Sequence, residues 1–344
     1  MLEQGLRSHG IEAVRCNEPW SASTQERVAA LHRPVLAAKL VLRLLRSWIR
    51  LVRAARRTGP VDVVLVGYLG VLDVHLARWC WPRAMLVLDH LAPVGGTVSD
   101  RAGGRLAGTV GRLLDRWATR RADLVVVDTD EHAGAITQAR VVVVPVGAPD
   151  EWFQVSSAPS DGPLRVVFFG LHTPLQGTPT IGRALRLALD AGADLRVTMI
   201  GSGQDLGRCR AELTGRSEVT WAAWVASEDL PAMVAGQHLC LGIFGTTAKA
   251  RRVVPNKVFQ GAAAGCALVT SDTPPQRRAL GDGAVYVRPG SAEELADQLE
   301  RLAGDRSRVA ELRERMRAVA DREFRPAAVV APLLPYLGGA PDRS

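Results

Sequence analysis

Short runs of β-branched and aliphatic residues alternate with stretches of helical periodicity along most of the chain, and this order constrains the fold more than any other feature. Residues 61–66, 84–88, 124–127 and 141–144 read as buried parallel strands, because both faces of each run are apolar. Residues 165–169, 195–200, 240–243, 267–270 and 284–287 read the same way. Helical patterns at 106–120, 179–191, 205–213 and 292–302 lie between them. A βαβα order of this kind implies parallel sheets covered by helices on both faces. At 344 residues the chain is too long for one ordinary core, so the pattern is expected twice. The break falls at Pro145-Val146-Gly147-Ala148-Pro149 and the polar stretch 156–163, after which a new strand begins. The expected division is residues 1–150, residues 151–325 and a tail, 326–344.

The start of the chain departs from this pattern. Residues 1–9 read as a helix closed by Gly10, and 11–16 as the next strand. A doubly wound domain opens instead on a strand and a glycine-bearing turn. The first N-terminal strand is therefore expected to be missing, with the polypeptide starting upstream of Met1 and a gap beside 11–16.

Composition narrows the functional classes. The formal net charge is +8, but the 40 arginines are spread along the chain without a helix-turn-helix, finger or aromatic RNA motif, which argues against nucleic acid as a partner. Lysines number three, and two of them, Lys249 and Lys257, fall in one short segment. Cys16, Cys80, Cys209, Cys240 and Cys266 show no metal-ligand spacing and read as buried thiols of a reducing compartment. No metal site is expected. The uncharged stretch 326–341 contains four prolines and is not a membrane span. These features fit a cytoplasmic protein, peripheral at most on the inner face of a membrane. Residues 34–57 form an amphipathic helix pattern in which Lys39, Arg43, Arg46, Arg50, Arg53 and Arg57 make one stripe. Such a stripe is either a solvated helix face or a contact for anionic lipid headgroups.

The second half carries the chemistry. The strand at 166–169 runs into Gly170-Leu171-His172-Thr173-Pro174-Leu175-Gln176-Gly177, and a helix follows at about Thr180. A second turn, Ile200-Gly201-Ser202-Gly203, follows the next strand in the same register. Glycines in such turns let backbone approach an anion at a helix N-terminus, although many serve sterics alone. Further on, Lys249, Arg251 and Arg252 precede Pro255-Asn256-Lys257-Val258-Phe259-Gln260, a helix start that presents Asn256, Lys257 and Gln260. Cations beside free backbone N–H groups suit a diphosphate. Trp221 and Trp224 either flank a nucleotide base or pack in the core.

The stretches FGLHTPLQGTPTI, IGSGQ, CLGIFGTTAKARRVVPNKVFQGAAAG and LVTSDTPPQRRAL together resemble family-4-type retaining glycosyltransferases (glycosyl transferases group 1) of GT-B fold. VGYLGVLDVHLAR, VLDHLAPVGGTVSDR, LLDRWATRRADLVVVDT and VVVVPVGAP resemble the family more loosely. The resemblance implies two Rossmann-like domains facing across a cleft, with an N-terminal acceptor domain and a C-terminal nucleotide-sugar domain. It also implies a metal-independent, hexosyltransferase-like reaction without a cofactor: a sugar passes from a nucleotide-diphosphate-sugar donor to an acceptor hydroxyl with retention. Carried onto this chain, it places Gly170, Gln176, Gly177, Gly201, Gly203, Phe244 and Gly245 around the donor. It places Lys249, Arg252, Asn256 and Lys257 near the diphosphate and Gln260 on the ribose, with an ordinary surface cation as the plain alternative for Arg251 and Arg252. Trp224, read from the residues alone, is the candidate for the base. Asp89 and His90, after the strand at 84–88, fall where the family contacts the transferred sugar or the acceptor, although a loop-anchoring hydrogen bond is the plain alternative. Asp73 and His75 read as caps of the following helix.

Departures are specific. Many members have Arg and Lys in the first donor turn, where this chain has Leu171 and Gln176. They also carry two glutamates eight apart, where this chain has Arg252 and Gln260. A nucleotide-sugar epimerase of GT-B fold and a non-catalytic partner protein therefore stand as alternatives to the transferase.

Overall fold

The computed structural model describes residues 1–18, 34–68, 70–91, 105–156 and 162–338. Most of the LAPVGGTVSDR segment, much of the expected 156–163 linker and the last six residues lie outside them.

Two compact units divide the chain. One comprises residues 12–144 and 332–344. Its elements are α2 (Pro34–Thr58), β1 (Val63–Val66), α3 (Asp73–Cys80), β2 (Met85–Asp89), α4 (Arg105–Arg121), β3 (Leu124–Val127), α5 (Asp130–Ala133) and β4 (Val141–Val143), preceded in the chain by α1 (Leu2–Ser8). The strands form a parallel sheet in sequential order, β1-β2-β3-β4. Leu86, Leu88, Leu124 and Val125 are fully buried along its centre.

The other unit comprises residues 1–11 and 145–331. It contains α1 together with β5 (Leu164–Phe169), α6 (Thr178–Asp190), β6 (Leu195–Ile200), α7 (Leu206–Glu212), β7 (Val219–Ala222), α8 (Leu230–Ala235) and β8 (Leu239–Leu241). It continues with α9 (Asn256–Ala263), β9 (Ala267–Ser271), α10 (Pro274–Leu280), β10 (Ala284–Val287), α11 (Ala292–Gly304), α12 (Arg306–Val319) and α13 (Pro326–Val330). Six parallel strands run in the order β10-β9-β8-β5-β6-β7, so β5 is central and the strand order reverses between β5 and β8. Alternation along β5 feeds both layers: Val166 and Phe168 join one core cluster, Val167 and Phe169 the other. That two-sided burial explains why the strands read as unbroken apolar runs.

The N-terminal segment corrects one expectation. Residues 2–8 are helical and Gly10 takes φ +75, as its sequence position requires. Residues 11–16, however, form no strand. Four of the six residues of IEAVRC are apolar, but a strand is held by ladder partners, which this segment lacks among the described residues. Instead α1 packs on α13, close enough that a Cβ on Gly5 would lie 2.2 Å from the Pro326 carbonyl oxygen. The segment after 326 likewise continues as short helices, α13 and α14 (Leu334–Leu337).

At the linker, the Ala148 amide donates to the Phe324 carbonyl at 2.9 Å, and Trp152 and Phe153 enter the second core cluster. The five cysteines are free thiols.

Candidate nucleotide-sugar site

In open α/β sheets, ligands gather at the carboxyl ends of strands where the order reverses. Here that place is the exit of β5 beside β8. Gly170 follows β5 with φ +134, and its amide donates to the Ile200 carbonyl at 3.0 Å. Gly201 follows β6, and its missing side chain admits the Gly170 carbonyl: a Cβ there would lie 1.9 Å from that oxygen. Gly203 similarly makes room for the His172 carbonyl, at 2.3 Å from a would-be Cβ. Gly201 and Gly203 therefore serve the packing of two turns against each other. Gly170 differs, because its missing Cβ faces only Cε and Nζ of Lys257, each at 3.6 Å.

Lys257 is the second residue of α9, whose N-cap is Pro255, so its ammonium lies at a helix N-terminus. It is 4% exposed, its Nζ sits 3.5 Å from the centroid of the Phe168 ring, and it has no hydrogen-bond partner among the described residues. Burial pushes its pKa well below the usual lysine range. Nearby, His172 is fully buried with both ring nitrogens unpartnered. Burial, and then the cations Lys257 and Arg210, push its pKa down to about 4, so it is neutral at pH 7. Buried polar groups without partners are rare, and two at one strand exit mark a place prepared for a polar group. Sequence reasoning had no signal for His172, a lone histidine within a glycine-rich turn.

A second cluster lies one strand over. Gly177, the N-cap of α6 with φ +67, packs on the backbone of Phe244 and Gly245, where a Cβ would come within 2.5 Å. Gly245 in turn faces the carbonyls of Pro174 and Leu175 at 2.3 and 2.4 Å from its would-be Cβ. The Phe244 amide donates to the Gln176 carbonyl at 3.0 Å, while its ring is buried in the first core cluster. Gln176 Oε1 and Thr178 Oγ1 are buried here without partners. Thr178 went unnoticed in the sequence, although it opens the helix.

The remaining expected residues are more dispersed. Asn256 is exposed at the first position of α9, and Gln260 is half-buried one turn later. Lys249 is half-buried and Arg252 exposed, and each has an interaction of its own. Trp221 and Trp224 do not act as a pair: the Arg210 guanidinium lies over the Trp221 ring at 5.0 Å, whereas Trp224 is 77% exposed.

In the other unit, Asp89 ends β2 with Oδ1 buried and without a hydrogen-bond partner among the described residues. Burial first, and then the neighbouring Asp128, raise its pKa to about 6. His90 is tethered: its backbone amide donates to the Val126 carbonyl at 2.8 Å, and Nε2 lies 3.3 Å from Asp115 Oδ1. Asp128 itself pairs with His132 Nδ1 at 2.5 Å. The capping expectation for Asp73 fails, because Asp73 is the first residue inside α3 and accepts from Trp48 Nε1 at 2.8 Å. His75 stacks on Trp117.

Two parallel α/β sheets with a glycine-lined strand exit at the switch point give the fold of GT-B glycosyltransferases. Residues 182–334 match a family model described as glycosyl transferase-like. By sequence alone, no curated protein matches the chain. Among solved structures, sucrose-phosphate synthase from Thermosynechococcus elongatus is similar with a TM-score of 0.66 at 15% identity, over 87% of this chain and 80% of that one. HepE from Anabaena, in complex with UDP and glucose, gives 0.65 at 16% identity over 98% of this chain and 89% of that one. The pneumococcal O-GlcNAc transferase GtfA, with UDP and GlcNAc, gives 0.60 at 12% identity over 85% and 60%.

Proposed function

We propose that this protein is a glycosyltransferase that takes a sugar from a nucleotide-diphosphate-sugar donor held by the 145–331 unit and passes it to an acceptor hydroxyl with retention of configuration. The observation that carries the reading is the buried, unpartnered Lys257 ammonium at the start of α9, 3.6 Å from the open side of Gly170. A buried cation without a counter-charge is costly, and a diphosphate supplies that charge together with acceptors for the helix N–H groups. Gly170 and Gln176 line the phosphates' approach, Gln260 takes the ribose, and Lys249, Arg252 and Asn256 extend the cationic rim. Similarity to chains crystallised with UDP supports a nucleotide donor.

The chemistry asked of the protein is charge stabilisation of a departing diphosphate and orientation of the reacting groups. Asp89, with an unpartnered oxygen and a raised pKa, is the group proposed to contact the transferred sugar or acceptor, and His90, tethered to Asp115, positions it. The basic stripe of α2 supports an anionic surface as a partner of the other unit, and among the described residues no helix is long and apolar enough to cross a membrane. A thermal-shift screen against UDP, GDP, ADP and dTDP and their sugars tests the reading. One diphosphate and its sugar should raise Tm by several degrees at saturating ligand. No shift with any of them contradicts it.

A further inference from the structure

Three helices of the 12–144 unit share one layer. The parallel strands β1, β2 and β3 follow one another in a single direction, so right-handed crossovers put α3 and α4 on the same face of the sheet. α2 joins that layer through the Trp48–Asp73 hydrogen bond, and α4 through Trp117, whose ring stacks on His75 of α3 with centroids 3.3 Å apart.

The outward side of this layer is neither purely polar nor purely charged. Leu44, Leu51 and Ala55 of α2 turn inward, while Val35, Leu42, Leu45 and Ile49 recur at spacings of seven, three and four and stand exposed. Beside them runs the stripe containing Lys39, Arg46 and Arg53. α4 repeats the arrangement: Val110, Leu113 and Trp117 are exposed, Trp117 to 54%, between Arg112 and Arg116 on one side and Arg121 on the other. α2 contains no acidic residue, and the single acid of α4, Asp115, is buried against His90.

A solvated face accounts for the cations but not for eight exposed large apolar side chains, Val41 included, among the described residues of two helices that both pack on α3. Pairing with a second copy would bring like charges together, and a nucleic acid would match the charge but leave the apolar stripes in contact with phosphate. An anionic bilayer matches both, through headgroup phosphates for the arginines and an acyl boundary for leucine, isoleucine and tryptophan. We infer that the outward face of α2 and α4 is a docking surface for an anionic lipid bilayer, with Leu42, Leu45, Ile49, Leu113 and Trp117 entering the headgroup–acyl boundary. This goes beyond electrostatic attraction by one helix and is independent of the transferase reading.

The test is co-sedimentation of the full chain with phosphatidylcholine vesicles prepared with and without phosphatidylglycerol. Wild type should sediment only with the anionic vesicles. Lys39→Glu/Arg46→Glu/Arg53→Glu should weaken binding by about tenfold or more. Leu45→Ser/Ile49→Ser/Leu113→Ser, which keeps every charge, should also weaken it and abolish the fraction that survives high salt. These side chains are already exposed, so Tm should stay near that of wild type. Without any variant, doxyl-labelled lipid should quench part of the tryptophan fluorescence. Wild type remaining in the supernatant overturns the proposal. So does equal binding by the apolar triple variant, unquenched tryptophan, a dimer in solution that the apolar triple variant dissociates without any vesicle binding, or binding to DNA in preference to vesicles.

Discussion

Asp89 ends β2 with a pKa of about 6 against 3.8 for an ordinary aspartate, because burial disfavours its charged form and Asp128 adds a like charge. Between pH 4 and 6 the folded chain therefore keeps a proton that the unfolded chain has released. Stability from this group is present below that window and is lost as pH rises through it, by about 2–3 kcal/mol. Asp89→Asn, which cannot titrate, should remove that part of the pH dependence. Urea unfolding of both proteins at pH 4 and pH 7 checks this, and an unchanged difference contradicts the assignment. At this scale the sequence was unevenly legible. Lys257 could be picked out because a lysine is scarce in this chain and follows a proline at a helix start. His172 and Thr178 could not, since their significance is burial without a partner, which arises only when separate turns close over them. Phe244 was placed by motif, yet its ring belongs to the core and only its backbone holds the Gln176 turn.

Among the elements, the strand ends decide where chemistry can sit. Gly201→Ala would drive a Cβ into the Gly170 carbonyl at a backbone angle of φ +127, costing roughly 2–4 kcal/mol and displacing the turn that faces Lys257. Gly192→Ala is the control: its φ is +86 but nothing lies within 4 Å, so only backbone strain of about 1 kcal/mol remains. Thermal melts and nucleotide-diphosphate titrations of the two variants should separate, with binding weakened in the first alone. Equal melts for both would show that the close approach at Gly201 does not matter. The strands themselves were readable as apolar runs because sheets buried on both faces need no polar alternation. Residues 11–16 looked similar on a small scale and failed, since a run of that kind becomes a strand only beside another strand. The Gly203 and Gly177 turns were readable as glycine turns, but not that their glycines admit neighbouring backbone.

For the whole molecule, order and length of the elements were enough to foresee two parallel α/β sheets, because the alternation occurs twice. What the linear pattern could not give is how the ends return: α1 docks on α13, so the first residues pack with the 145–331 unit and not with the strands that follow them. Such a contact joins residues more than 300 apart and rests on one small residue, Gly5. The proposed donor site in the 145–331 unit depends on whether a diphosphate neutralises Lys257. Isothermal titration of wild type and Lys257→Met, with a nucleoside and its diphosphate in parallel, measures it directly. Wild type should prefer the diphosphate, and the variant should lose about 1–3 kcal/mol of that preference while melting higher without ligand, because a buried, unpaired ammonium has been removed. If the variant keeps the wild-type preference for diphosphate over nucleoside, Lys257 is not a phosphate ligand and the account of the site is wrong.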